Sequence, residues 1–185
     1  DGLAADEQQL RSENHYRVTM RIYIFRHGEA LPKTDPSVSS DPQRPLIEEG
    51  IRRTRQAAEA LAKFEIPFDA VYTSPWVRAK QTAKIVCEVL GLNNVLHEMD
   101  ELAGDRAVED VMNALAKQSH HEEIILVGHN PLLSDIAAYL LSLSEGMQVD
   151  LKKSGICAVE TDRVPPKNPG TLLWAMTNKQ LRMLR

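Results

Sequence analysis

From Met20 onward, apolar positions alternate between short continuous runs and stripes at helical spacing. Met20 to Phe25 is a β-rich apolar run, the pattern of a strand buried on both faces. Pro32 to Pro45 is rich in Pro, Ser and Asp and reads as loop. Ile47, Ile51, Thr54, Ala58 and Leu61 then recur at helical spacing, and Phe68 to Thr73 predicts a second strand. Behind Pro75, the positions Ala79, Thr82/Ala83, Val86 and Leu90 trace a helix that Gly91 ends. Val95-Leu96 predicts a short third strand, and Val108, Val111/Met112 and Leu115 a helix. Glu123 to Val127 is the strongest strand signal, followed by a helix from Leu132 to Leu143 behind Pro131. Two late strands, around Ile156–Glu160 and Leu172–Met176, are separated by a Pro/Gly loop from Val164 to Gly170.

Strands alternating with helices of this length predict an α/β fold, a three-layer αβα sandwich around a mostly parallel central sheet. A chain of 185 residues has room for one such domain, expected over residues 20–185. Residues 1–19 are polar and charged without an apolar signal core, and read as a hydrophilic extension or an expression remnant. Hydrophobic residues at 43% suffice for a packed core. The formal charge is −4, so the basic footprint that duplex nucleic acid needs is missing, and no apolar run reaches membrane-span length. Nucleic-acid and membrane partners are therefore not expected. Two cysteines, Cys87 and Cys157, both among apolar neighbours, predict buried thiols in a reducing cytoplasm.

In parallel α/β sheets, ligands sit outside the carboxyl ends of the strands. Three predicted strands end there on unusual polar residues. The first runs into Arg26-His27-Gly28-Glu29, the second into Thr73-Ser74-Pro75, and the fourth into Gly128-His129-Asn130. Gly28 allows a turn and close approach to a ligand, and Arg26 offers a charged planar fork suited to phosphate. Arg78 lies one turn into a helix whose N-terminus attracts anions. Taken singly, each segment reads equally well or better as ordinary structure: a surface Arg-His pair, a solvated Arg, a satisfied His. Together, two arginines and two histidines at one sheet edge make a positive site for a phosphoryl group. No HExxH, CxxC or paired-Asp motif calls for a metal or another cofactor, and His120-His121, among polar residues, reads as solvated surface.

The three segments resemble the histidine phosphatase superfamily, with its phosphoglycerate mutase-like fold. The opening Arg-His-Gly, the Thr-Ser-Pro…Arg-Ala-x-Gln-Thr-Ala helix start and the Gly-His strand end occur in the family's order, over essentially Met20 to the C-terminus. The resemblance implies that His27 is the phosphate-accepting nucleophile and that Arg26, Arg78 and His129 form the phosphate pocket around it. It also implies metal-independent hydrolysis through a phosphohistidine intermediate. A chain this short has little room for the lid helices of larger members, so an open pocket is expected. The compact layout resembles SixA-type phosphohistidine phosphatases.

One departure stands out. Many members carry a proton-donating Glu two positions after a Leu, whereas Leu102 is followed here by Ala103 and Gly104, with Glu101 or Asp105 as candidate substitutes. A missing acid matters most for a poor leaving group. Alkoxide needs a proton, whereas imidazole, whose conjugate acid has a pKa of about 6.5, leaves readily. The expected substrate is thus phosphohistidine of a signalling phosphotransfer protein. A small phosphomonoester such as a sugar phosphate is the alternative, followed by a non-catalytic phosphate-binding module.

Overall fold

The computed structural model describes residues 19–118, 120–144 and 147–184; nearly all of the 1–19 extension lies outside the described residues. The apolar runs form strands β1 (Met20–Arg26), β2 (Ala70–Thr73), β3 (Leu96–Glu98), β4 (Glu123–Gly128), β5 (Ile156–Thr161) and β6 (Thr171–Met176). The helical stripes form α1 (Glu48–Ala62), α2 (Val77–Leu90), α3 (Val108–Ala116) and α4 (Leu132–Ser142), and a short α5 (Asn178–Leu181) follows β6.

All six strands share one sheet in the order β3-β2-β4-β1-β5-β6. The three pairings from β3 to β1 are parallel, and those of β5 with β1 and β6 are antiparallel. The mostly parallel expectation therefore holds for β1 to β4, and the sheet as a whole is mixed. The cause lies in the segment before β5. It reaches the carboxyl edge of the sheet, where Ser154 N–H donates to the Arg26 and His27 carbonyls, so β5 enters from that edge and runs back against β1.

Alternation along the strands divides the core between two faces. Tyr23, Phe25, Val71, Ile125 and Val127 pack under α1, α2 and Leu181 of α5. Ile22, Ile24, Tyr72, Ile124 and Leu126 pack under α3 and α4. Full burial of an Ile or Phe is worth ~1.5–3 kcal/mol. The central strands β1 and β4, with Ile22, Ile24, Phe25 and Ile125 to Val127 fully buried, are accordingly the best-anchored part of the frame. Cys87 and Cys157 are free and buried, as expected, and burial pushes both thiols up to about 11.

The 32–45 segment is a loop, closed at its base by a bridge between Ala30 and Leu46. It contains one structured turn that no hydrophobic pattern announces, the 3₁₀ helix Asp41–Gln43. A second unannounced element is α5, a single turn with a reciprocal cap between Thr177 and Gln180. Both are too short to show a periodicity.

Candidate active site

Because β2, β4 and β1 are adjacent and parallel, the three polar strand ends emerge side by side. The structure brings His27, Arg78 and His129 into one buried cluster, with exposures of 6%, 3% and 2%. The His27 and His129 rings lie 5.0 Å apart between centroids. Arg26, the last residue of β1, reaches the same edge. Its Nη1 donates to the Leu151 carbonyl at 2.8 Å, while its Nε is buried without a partner in the protein.

The tautomer of His27 follows from its neighbours. Nδ1 lies 2.6 Å from the Gly28 carbonyl, which only accepts, so Nδ1 carries the hydrogen. Nε2 then presents a lone pair, and Arg78 Nε–H donates to it at 3.2 Å. Burial, followed by the charges of Arg78, Arg26 and Lys153, pulls the His27 pKa down to about 3, although the Gly28 bond opposes the shift. The ring is neutral at physiological pH, with its nucleophilic nitrogen fixed in direction.

The backbone holding this ring is tightly packed. A Cβ on Gly28 would meet Thr54 Oγ1 at 2.6 Å and the Gly50 carbonyl at 3.0 Å, and one on Gly50 would meet the Glu29 carbonyl at 2.0 Å. Only a pair of glycines lets α1 press against the Arg-His-Gly turn. Thr82 ties the same turn to α2. Its Oγ1 accepts from Gly28 N–H at 3.1 Å and donates to the Arg78 carbonyl at 2.7 Å. Gln81 Oε1 accepts from Leu46 N–H at 2.7 Å and holds the end of the 32–45 loop.

His129 Nε2 lies 2.8 Å from Ser74 Oγ, which also accepts from Trp76 N–H at 3.3 Å. The hydrogen between them is supplied by Ser74 or by His129, since the second Ser74 lone pair stays open to accept. His129 Nδ1 is buried without a hydrogen-bond partner in the protein. Burial, then the charges of His27, Arg78, Arg44 and Arg26, lowers the His129 pKa to about 2.

Sequence reasoning missed three contributors. Asp41, on the 3₁₀ turn, accepts from Arg78 Nη1 through its carbonyl at 2.7 Å and pairs with Nη2 through Oδ2 at 3.3 Å. Arg44 places Nε 2.7 Å from Asp41 Oδ1, out of line for a hydrogen bond. The Trp76 ring lies 4.5 Å from that of His129 and 4.7 Å from Arg78 Cζ. Trp76 and Ser74 sit inside a motif whose spacing drew attention to Arg78, and the Asp-x-x-Arg spacing of Asp41 and Arg44 was the available signal for the loop. Six buried side-chain polar atoms among the described residues make no hydrogen bond within the protein, two of them, Arg44 Nε and Asp41 Oδ1, being ion-paired with each other. Five belong to this cluster or its neighbour: Arg26 Nε, Arg44 Nε, Asp41 Oδ1, His129 Nδ1 and Asn130 Oδ1. Such concentration marks a site rather than a fault in packing.

Gly104 also reaches the cluster. A Cβ there would stand 2.8 Å from the Trp76 ring and 3.5 Å from His129 Cβ, so the indole fills the space that a side chain at this position would need. Neither candidate substitute acid joins the cluster. Glu101 lines surface grooves with His97, Asp110 and Lys117, and Asp105 is solvent-exposed. The His120-His121 pair stands apart too. His120 is exposed, and His121 Nδ1 bonds the Tyr72 hydroxyl at 3.0 Å. No group of three or more His, Cys, Asp or Glu among the described residues is arranged to hold a metal ion, and no described helix is long and apolar enough to cross a membrane.

Comparison with known proteins agrees with this geometry. Residues 22–103 match the family model of the histidine phosphatase superfamily (branch 1). An uncharacterized protein of Picosynechococcus sp. is 30% identical over 143 residues, 77% of this chain and 86% of that protein. The phosphohistidine phosphatase SixA of Escherichia coli (strain K12) is 28% identical over 170 residues, 90% of this chain and 99% of SixA. Among solved structures, the protein histidine phosphatase SixA complexed with tungstate superposes with a TM-score of 0.77 at 27% identity, covering 88% of this chain and 99% of that one.

Proposed function

The chain belongs to the histidine phosphatase superfamily, and from that premise we propose a phosphatase that works through a phosphohistidine on His27 and takes its phosphoryl group from a phosphorylated histidine of a signalling phosphotransfer protein. The observation that carries the reading is the fixed tautomer of His27, with Nδ1–H on the Gly28 carbonyl and the Nε2 lone pair facing Arg78.

In the first step the Nε2 lone pair forms a bond to phosphorus as the P–N bond to the substrate imidazole breaks. The departing electron pair stays on that imidazole, whose other ring nitrogen takes its proton from solvent. Arg26, Arg78 and His129, in the tautomer that carries its hydrogen on Nδ1, stabilise the equatorial oxygens, the work that phosphoryl transfer chiefly requires. In the second step a water oxygen attacks phosphorus, the P–Nε2 bond breaks, and the electron pair returns to His27. Orthophosphate leaves, and the proton passes to solvent.

Two features favour a protein phosphohistidine over a small phosphate ester. Trp76 fills the space next to Gly104, and the Asp41 carboxyl beside Arg78 is held ionised by Arg78, Arg44 and Lys33, so it has no proton for an alkoxide. Between β1 and α1 the loop carries no helix longer than the single turn Asp41–Gln43, and the absence of a lid helix there favours a bulky partner. The test compares kcat/KM on a phosphorylated phosphotransfer domain with that on sugar phosphates, with and without a chelator. Faster turnover of the protein substrate, unaffected by chelation, is expected. Preferential turnover of a sugar phosphate overturns the substrate reading, and loss of activity on chelation, restored by a divalent ion, overturns the mechanism.

A further inference from the structure

Arg78 has five N–H donors, and three of them are engaged inside the protein. Nε–H points at His27, Nη1 is held by the Asp41 carbonyl at 2.7 Å, and Nη2 meets the Asp41 carboxylate at 3.3 Å. These last two contacts differ in kind. The carbonyl bond is short and belongs to the main chain of a structured turn. The carboxylate contact is long, and its other oxygen already lies 2.7 Å from Arg44 Nε and 3.6 Å from Lys33 Nζ. Burial disfavours the Asp41 charge, but Arg78, Arg44 and Lys33 together hold its carboxyl below the ordinary carboxylate range. A negative charge therefore stands on the guanidinium that a phosphoryl group must use, next to two further cations that can receive it.

We infer that Asp41 is a resident competitor anion, whose carboxylate shares Arg78 with the substrate phosphoryl group and weakens the pocket's hold on product phosphate. On phosphate entry the Oδ2–Nη2 contact breaks and the carboxylate turns toward Arg44 and Lys33. The carbonyl bond to Nη1 keeps the guanidinium in place throughout. On product release the carboxylate returns, so the empty site never presents an unneutralised buried guanidinium. Such a device suits a hydrolase, which gains from releasing orthophosphate quickly. It rests on the phosphatase reading given above.

The experiment measures orthophosphate and tungstate affinity by calorimetry, without turnover, in the wild type, Asp41→Asn and Asp41→Glu. Removing one negative charge at this range predicts phosphate binding ~10-fold tighter in Asp41→Asn, with kcat lowered and product inhibition increased. Asp41→Glu, which restores the charge, returns affinity toward the wild-type value. A strut that merely positioned Arg78 would give the opposite sign, since its loss would weaken phosphate binding; unchanged or weaker affinity in Asp41→Asn therefore overturns the inference. The wild type supplies a second measurement that does not depend on a variant folding. The carboxyl ¹³C resonance of Asp41 is expected to shift on phosphate saturation, and a fixed resonance rejects the exchange. Absence of any oxyanion binding to the wild type would count instead against the functional reading of the site.

Discussion

Arg26–His27, Ser74–Arg78 and His129 all lie at or just beyond the carboxyl ends of parallel strands, whereas residues 151–155, which lead into antiparallel β5, meet the site mainly through main-chain atoms. The Leu151 carbonyl accepts from Arg26 Nη1 and Asn130 Nδ2, Ser154 N–H donates to the Arg26 and His27 carbonyls, and the Gly155 carbonyl accepts from Arg26 N–H. One half of the sheet thus delivers reactive side chains, and the other delivers backbone that holds them still. Side-chain changes in the first half should strike chemistry. In the second half they should strike stability, because the groups in use survive most substitutions.

The sharpest break of that comparison is His27→Ala against Ser154→Ala. The first removes the proposed nucleophile and should lower kcat by at least ~10³-fold while circular dichroism stays native. The second removes only the Oγ contact to Thr54 at 3.2 Å. A loss of about 1 kcal/mol in urea unfolding and activity within a few-fold of wild type are expected. If the serine variant were as inactive as the histidine variant, the division of labour between the two halves would be wrong.

Leaving-group dependence is the next largest effect. With the Asp41 carboxyl held ionised by Arg78, Arg44 and Lys33, the cluster has no protonated acid, and an alkyl phosphate should be cleaved ~10²-fold or more slowly than a phosphoimidazole or an activated aryl phosphate, the usual worth of general acid catalysis. Glu101→Gln should change neither rate, since Glu101 faces surface grooves away from His27. Equal, high kcat/KM values on alkyl and imidazole phosphates would remove the main reason for preferring phosphohistidine.

These expectations also show what was legible in the sequence. The parallel half was readable because each strand carries its apolar period up to the residue where chemistry begins, as in Phe25 before Arg26-His27 or Val127 before Gly128-His129. The direction of β5 was not readable. Its apolar run is the same whichever way it pairs, and the return of the preceding segment to the carboxyl edge is a tertiary fact. Asp41 and Arg44 were hidden for a related reason. They lie on and directly after a single 3₁₀ turn in a Pro/Ser-rich loop, and their role depends on where the loop folds back rather than on any period. In the sequence Gly28 reads as a turn residue, and the structure gives a second reason for it, the close approach of α1. Gly28→Ala should cost ~1–3 kcal/mol from overpacking against Thr54 and the Gly50 carbonyl. It should also reduce activity, because the Gly28 carbonyl orients His27. Thermal melts and an activity assay on one sample check both effects, and a wild-type melting temperature would mean that the α1 contact yields easily.

The smallest effect separates the halves by proton linkage. In the folded chain His27 and His129 titrate at about 3 and about 2, while in the unfolded chain both return to about 6.5. Between these limits the unfolded state binds more protons, so stability rises with pH up to about 6.5 and then levels, and it declines as pH falls below that point. Each histidine contributes at most about 1.4 kcal/mol per pH unit within the window. Carboxylates with lowered values, such as Asp41, act in the same direction but mainly below about pH 4, so the histidine contribution is cleanest between about pH 5 and 6.5. His129→Gln should flatten the slope of unfolding free energy against pH by one histidine's share, whereas Ser154→Ala should lower stability equally at every pH and leave the slope unchanged. Urea titrations of both variants across this range make the comparison. A His129→Gln protein with the wild-type slope would mean that His129 gains a proton in the folded state as readily as in the unfolded one, and that burial does not hold its ring neutral.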